Sequence, residues 1–301
     1  MAMTWRFSRQ TRTGVAPAIR DQLVCVDRDL LCLRNPWVAD SVFMGKMYTS
    51  SMLMLMLVDI TIWRDSNIWR LADLLDLLLC VMVVVGPFFA APFLWYRIFF
   101  VKRLSNFYFN RKTRKVYYQR NKTLIAFDWA QTEGAEFVRN EFGGRSFSTN
   151  FALAFGPRPT PGDEKDRTVL WVDSNAPNDP DPRYIAEVWE YICQFMEKGP
   201  DPLPPPGEPN WWYVPLHRIC LTPAEAWRHY APWRSGEPGE RQGKKNWLLP
   251  MWLILFPYNL FSALCWYVVC RVFNVRSAPP PAEALEGVSS EGNAGFSTRS
   301  H

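Results

Sequence analysis

Between Leu77 and Tyr96 the sequence carries no charge of either sign, and between Arg97 and Lys122 it carries no acid. The first absence excludes a helix with one face in water, because such a face needs polar residues. LLLCVMVVVGPFFAAPFLWY is twenty residues long, the length that lipid hydrocarbon asks of a helix. Catalytic signatures are lacking too: no nucleophile elbow, phosphate loop, dinucleotide fingerprint or HExxH occurs. The three histidines include His217 and His229, twelve apart, with no carboxylate or cysteine at ligand spacing, so no metal centre is expected. The seven cysteines show no CxxC and lie scattered, which argues against a disulfide framework and fits a reducing compartment. MAMTWRFSRQTRTG has no apolar run behind it and is not a secretory signal. A mean hydropathy of −0.16 excludes a chain that is membrane-embedded throughout.

What is present divides the chain. Residues 1–20 hold Arg6, Arg9, Arg12 and Arg20 and no acid, the composition of a solvated cytoplasmic tail. QLVCVDRDLLCL, 22–33, reads as two short strands about Asp27–Asp29, which must join a sheet formed later. Residues 41–63 form a first span candidate, with Lys46 able to snorkel and Asp59 at its far end. The second candidate, 74–100, opens with Asp73 and Asp76, placed to favour the helix dipole. A proton-relay role for Asp59, Asp73 or Asp76 is the enzymatic alternative, and it lacks a convergent polar site. Nine basic residues from Arg97 to Lys122 put the following segment on the cytoplasmic side. A hairpin with both ends inside and a short outer loop results.

After the hairpin the apolar period changes from helical to alternating. Strands are expected within 106–119, with a turn at Asn110–Thr113, and in 123–129, 135–141, 146–155 and 168–173, and then a helix within 180–200, stopped by Gly199–Pro200. Its apolar positions are Ile185, Val188, Trp189, Ile192, Phe195 and Met196. Glu187, Glu190 and Glu197 fall on its polar side. Residues 102–200 thus read as a cytoplasmic antiparallel β domain closed by one amphipathic helix, a small sandwich or, by resemblance of layout to bacterial membrane proteins of that kind, a pleckstrin-homology-like (PH-like) module. Residues 201–245 are a proline- and tryptophan-rich linker with a short helix capped by Thr222 and Glu225. A third apolar run, 246–273, contains Pro250, Pro257 and Asn259; it either crosses or re-enters as two half-helices. Residues 274–301 have the composition of a disordered tail. The fold class is membrane-anchored α+β.

One cluster stands out as a contact site. Arg111, Lys112, Arg114 and Lys115 crowd a single turn beside the second span in sequence. They suit either anionic headgroups or a protein partner, against the plainer reading of a topogenic charge cluster. Nucleic acid is not expected, since Phe109, Tyr117 and Tyr118 fit the faces of the sheet.

FNRKTRKVYYQ with FDW (109–129), and WEYICQFMEKGPDPLPPP (189–206), together resemble an uncharacterised family of proteobacterial inner-membrane proteins. The resemblance implies a transmembrane hairpin, a strand-rich cytoplasmic domain and a further apolar segment. Its members often neighbour type VI secretion effector genes. This implies a non-enzymatic accessory or immunity role, a secretion effector or machinery component as partner, no cofactor and a multi-pass inner-membrane location. The alternative is a phospholipid-headgroup-sensing envelope protein. Self-association is compatible with either.

Overall fold

The computed structural model describes residues 2–8, 13–65, 74–142, 147–157, 170–173, 183–208 and 219–288. They form an α+β protein with two antiparallel sheets. The first sheet comprises β2 (Leu23–Val26), β3 (Leu30–Leu33), β4 (Phe107–Asn110), β5 (Lys115–Arg120) and β6 (Thr123–Asp128), in that spatial order. The second has the order β1-β7-β8-β9, from Ala2–Phe7, Thr132–Phe142, Phe147–Pro157 and Leu170–Asp173. Helix α3, Arg183–Lys198, closes the space between them.

Strand alternation decides which side chains meet there, because successive residues point to opposite faces. Leu31 and Leu33 of β3, Phe107 and Phe109 of β4, and Val116 and Tyr118 of β5 enter the main core. The register sets Leu31 opposite Phe109, and Phe109 opposite Val116. From α3, all six positions of the expected apolar face are buried. Trp129 and Trp189 sit at the centre, ring centroids 5.6 Å apart. Gly134 gives them room: a Cβ there would lie 2.9 Å from the Trp189 ring.

Two readings change here, one of the first twenty residues and one of Glu190. The N-terminal segment is no solvated tail: β1 pairs with β7, Trp5 lying opposite Ala135, and Phe7 stacks on Trp189 at 6.3 Å. Met3, Trp5 and Phe7 alternate at the strand period beneath the basic composition. Residues 13–20 then cross α3, where Glu190 is buried rather than solvated. Its Oε1 accepts from Thr13 N at 2.7 Å and Thr13 Oγ1 at 2.9 Å.

Between the neighbouring strands β3 and β4 the chain leaves the sheet as two long packed helices, α1 (Pro36–Asp65) and α2 (Leu74–Arg103). Tyr48 meets Phe93 edge-on at 4.7 Å, as an antiparallel pair requires. Beyond Met52, α1 exposes Leu53, Met54, Leu55, Met56, Leu57 and Val58 in unbroken succession. Short helices α4 (Pro223–Tyr230) and α5 (Glu240–Gly243) precede α6 (Leu249–Val272), which runs unbroken through Pro257 and Asn259, so two half-helices do not form. Among the described residues two segments, Pro36–Val58 and Asn246–Val272, are long and apolar enough to cross a membrane by length and composition. The loop 66–73 with Asp73, and the side chains of Asp59 and Asp76, lie outside the described residues.

Helix α1 meets α6 through small residues. Ser41, Gly45 and Thr49, four apart and hence on one face, are all buried. A Cβ on Gly45 would stand 2.6 Å from the Trp266 ring, which is itself fixed by a 2.8 Å hydrogen bond from Nε1 to Ile219 O. Close approach of backbones is what such spacing permits. Gly45→Leu is expected to destabilise the protein by about 1–3 kcal/mol through overpacking. Gly86→Ala, with open space at its Cβ, should be neutral or stabilising by up to about 1 kcal/mol. Thermal unfolding in detergent micelles measures both.

Candidate functional site

The basic turn is organised by one buried amide. Asn110, at the end of β4, is fully enclosed. Its Oδ1 accepts from Lys112 N at 2.9 Å and Thr113 N at 3.0 Å, shaping the turn into β5. Its Nδ2 donates to Ala284 O and Glu286 O, both at 2.9 Å. Two donors and two acceptors are thereby all used. Arg114 completes the turn with φ of 54°.

Three of the four sequence-predicted contact residues already have neighbours. The Lys112 ammonium lies 3.1 Å from the buried Asp29 carboxylate and 2.5 Å from Gly287 O. Arg114 Nη1 donates to Met196 O at the end of α3. Arg111 packs where Gly199 (φ 88°) leaves space, a Cβ there standing 2.8 Å from Nη1. Lys115 is exposed at the start of β5. The turn also lies away from α2. Strand β5 returns from it to the helix end, where Leu104 bridges Arg120 and Asn121 N donates to Arg103 O at 2.8 Å. Six strand residues put the turn roughly 15–20 Å from that end. The cations beside α2 are instead Lys102, Arg103, Arg120 and Lys122.

Residues 277–288 are not a free tail. A 3-10 turn over Ala282–Leu285 lies on the outer face of the first sheet, against Leu30, Cys32, Tyr108 and Tyr117. Ala284 is completely buried there. Composition gave the disorder reading, since one alanine and a few carbonyls leave no apolar signal. Residues 289–301 lie outside the described ones.

A second buried polar group surrounds α4. The expected cap is present, with Thr222 and Glu225 forming a reciprocal capping box. Beyond α4, Glu240 Oε1 meets Lys244 Nζ at 2.7 Å, the two side chains 3% and 1% exposed. Glu240 Oε2 accepts from Gly236 N at 2.7 Å, and Lys244 Nζ donates to Trp233 O at 3.0 Å. Lys46, from α1, donates to Tyr230 Oη at 2.6 Å. His229 Nδ1 lies 3.3 Å from Glu237 Oε2. Burial, then the Lys244 and Lys46 cations, lower the imidazole pKa to about 4, with Glu240 opposing. Burial pushes the Glu237 carboxyl up. For Glu240, burial is outweighed by its bond from Lys244 and by donors from Ser235 and Gly236, leaving it below the usual range. Sequence reasoning missed this group because Glu240 and Lys244, four apart, look like any exposed helix pair. Exposed Trp227 and Trp233 and half-buried Phe256 cluster beside it. His217 lies outside the described residues. Among the described residues no three His, Cys, Asp or Glu side chains converge as metal ligands. Cys25, Cys32, Cys193, Cys220, Cys265 and Cys270 form no disulfide.

A histidine lowered in the folded state stabilises above its unfolded value near 6.5, and that stability drains as pH falls toward 4. His229 should therefore cost roughly 3 kcal/mol across that interval. Denaturation midpoints of wild type and His229→Asn, measured from pH 7 to 4, should converge as the pH drops. Parallel curves would refute the assignment.

No curated protein and no solved structure matches the chain. A family does, over residues 83–284, from the middle of α2 through β4 to β9, α3 and α6 to Ala284 on the sheet face. The chain belongs to that family, DUF6708, a family of unknown function.

Proposed function

We propose that this protein is a non-enzymatic, membrane-anchored binding protein whose two-sheet body recruits a protein partner at the cytoplasmic face of the inner membrane. The observation that carries the reading is the unbroken apolar exposure of α1 beyond Met52, on a helix rooted between two strands of a packed body. Such a surface is costly in water and at home in lipid. Cations gather where the helices meet the body: Lys102 and Arg103 end α2, and Arg271 lies in the last turn of α6. Lys102 Nζ also donates to Phe273 O at 2.5 Å, joining those two ends. Basic residues at the body side favour a cytoplasmic body. Two sheets closed by one helix suit a PH-like binding module, a likeness of layout from which function does not follow. The partner proposed is a type VI secretion effector or machinery component, an identity supported by the family resemblance alone.

Two experiments separate anchor from partner. The full-length chain should remain in the pellet after alkaline carbonate washing and enter solution with detergent; recovery in the wash would end the anchoring claim. Coexpression should suppress the toxicity of the neighbouring effector, or the two should copurify. Neither outcome for any adjacent effector would remove that partner.

Headgroup sensing is favoured by one specific observation, the meeting of Arg120 and Lys122 with Lys102 and Arg103 at the end of α2. Cations near an anionic surface contribute about 1 kcal/mol each. Anionic lipid added to micelles should raise the melting temperature of wild type and of Arg111→Gln/Lys115→Gln, but not of Arg103→Gln/Arg120→Gln/Lys122→Gln. An equal rise in all three would discard the reading.

A further inference from the structure

We propose that the outer face of the five-stranded sheet is a peptide-docking surface, occupied in cis by residues 281–288, from which a partner segment folded in the same 3-10 turn displaces them. The inference rests on the protein-binding reading above and gives it a site. The face is apolar at its centre, where Leu30, Cys32, Tyr108 and Tyr117 lie under the strap. Asn110 and Lys112 stand at one end as donors.

The strap is held mostly by its main chain. Carbonyls of Ala284, Glu286 and Gly287 accept from Asn110 and Lys112. Pro281 and Ala284 are buried, Ala284 completely, and Leu285 and Val288 are partly buried. Glu283 and Glu286 are exposed. Recognition that reads carbonyls and a small residue tolerates other side chains at the exposed positions. The partner segment that fits is small–aliphatic–x–x–aliphatic, in the positions of Ala284, Leu285 and Val288. A small residue is obligatory at the first position, because no exposed volume remains around Ala284.

The attachment suits exchange. Pro279 and Pro280 stiffen the tether between the strap and the last turn of α6. Tethering keeps the strap at high effective concentration, so a competing segment succeeds only when it is itself concentrated locally, as beside a membrane or on a bound partner. Lys112 contributes twice, pairing with Asp29 and holding Gly287, so the basic turn serves the docking face.

The test uses the full-length chain in detergent micelles, a fluorescent peptide with the sequence of residues 277–288, and mass-spectrometric alkylation of Cys32 and Cys193. Cys32 lies under the strap, whereas Cys193 belongs to the main core. Ala284→Arg should eject the strap, so that Cys32 becomes reactive while Cys193 stays protected. The peptide should then bind saturably to Ala284→Arg and not to wild type at the same concentration. Adding Asn110→Asp keeps the turn's acceptor oxygen but removes both donors, and should weaken the peptide about tenfold or more. If Cys193 also reacts, the variant has lost its core, and a chain ending at Ala278 supplies the same measurements. Cys32 remaining protected, no binding once it is exposed, equal binding to wild type, or indifference to Asn110→Asp would each overturn the proposal. The peptide assay involves no effector and no membrane, so its failure leaves the carbonate and rescue experiments standing.

Discussion

The pairing of β3 with β4 is the constraint on which the rest depends. Leu33 lies opposite Phe107, so the chain that leaves the sheet at one must return at the other after about seventy residues of helix and loop. Strands 4.7–4.9 Å apart leave no slack at the exit. The two helices must therefore start and finish side by side. Asn35, entirely buried, secures that gate: Nδ2 donates to Ser105 O at 3.0 Å, and Oδ1 accepts from Trp37 N at 3.1 Å. The body and the helical pair share a rigid joint instead of a flexible linker.

Polarity is handled differently at the two buried clusters. At the sheet face, a neutral amide uses all its hydrogen-bonding capacity, so its enclosure leaves nothing unsatisfied. Around α4, Glu240 and Lys244 are enclosed as one ion pair, and each also bonds to backbone groups. Removing one partner from such a pair strands the other in an apolar setting. The first arrangement allows a segment to leave at modest cost; the second fixes its neighbours in place.

Much of the body was legible because its signals are periodic. Alternation located β4 through β9, the 3.6-residue repeat picked out every buried apolar position of α3 from Ile185 to Met196, and Thr222–Glu225 announced α4. What stayed hidden depends on distant partners. Nothing local in Met3, Trp5 and Phe7 outweighs the arginines around them until β7 exists to pair with. Glu190 was placed on a polar face because burial of its carboxylate is decided by a donor far away in sequence, Thr13; the donors to Glu240 are only three to five residues off, but they act through a loop turned back onto it, which no periodic signal announces. The basic turn was found, but its adjacency to α2 in sequence was misleading: β5 carries the chain back to the helix end and leaves the turn at the opposite tip.

The insertion of two long helices between adjacent strands has a consequence for assembly. During synthesis, β2 and β3 emerge well before β4, and β1 waits longer still for β7. Contacts so far apart along the chain form late and slowly. Until α2 has turned back, the first hairpin exposes Leu31 and Leu33 with no sheet to join. Closure of the β body is thus gated by completion of the helical excursion, and a chain stalled within it would present sticky strand edges to its surroundings.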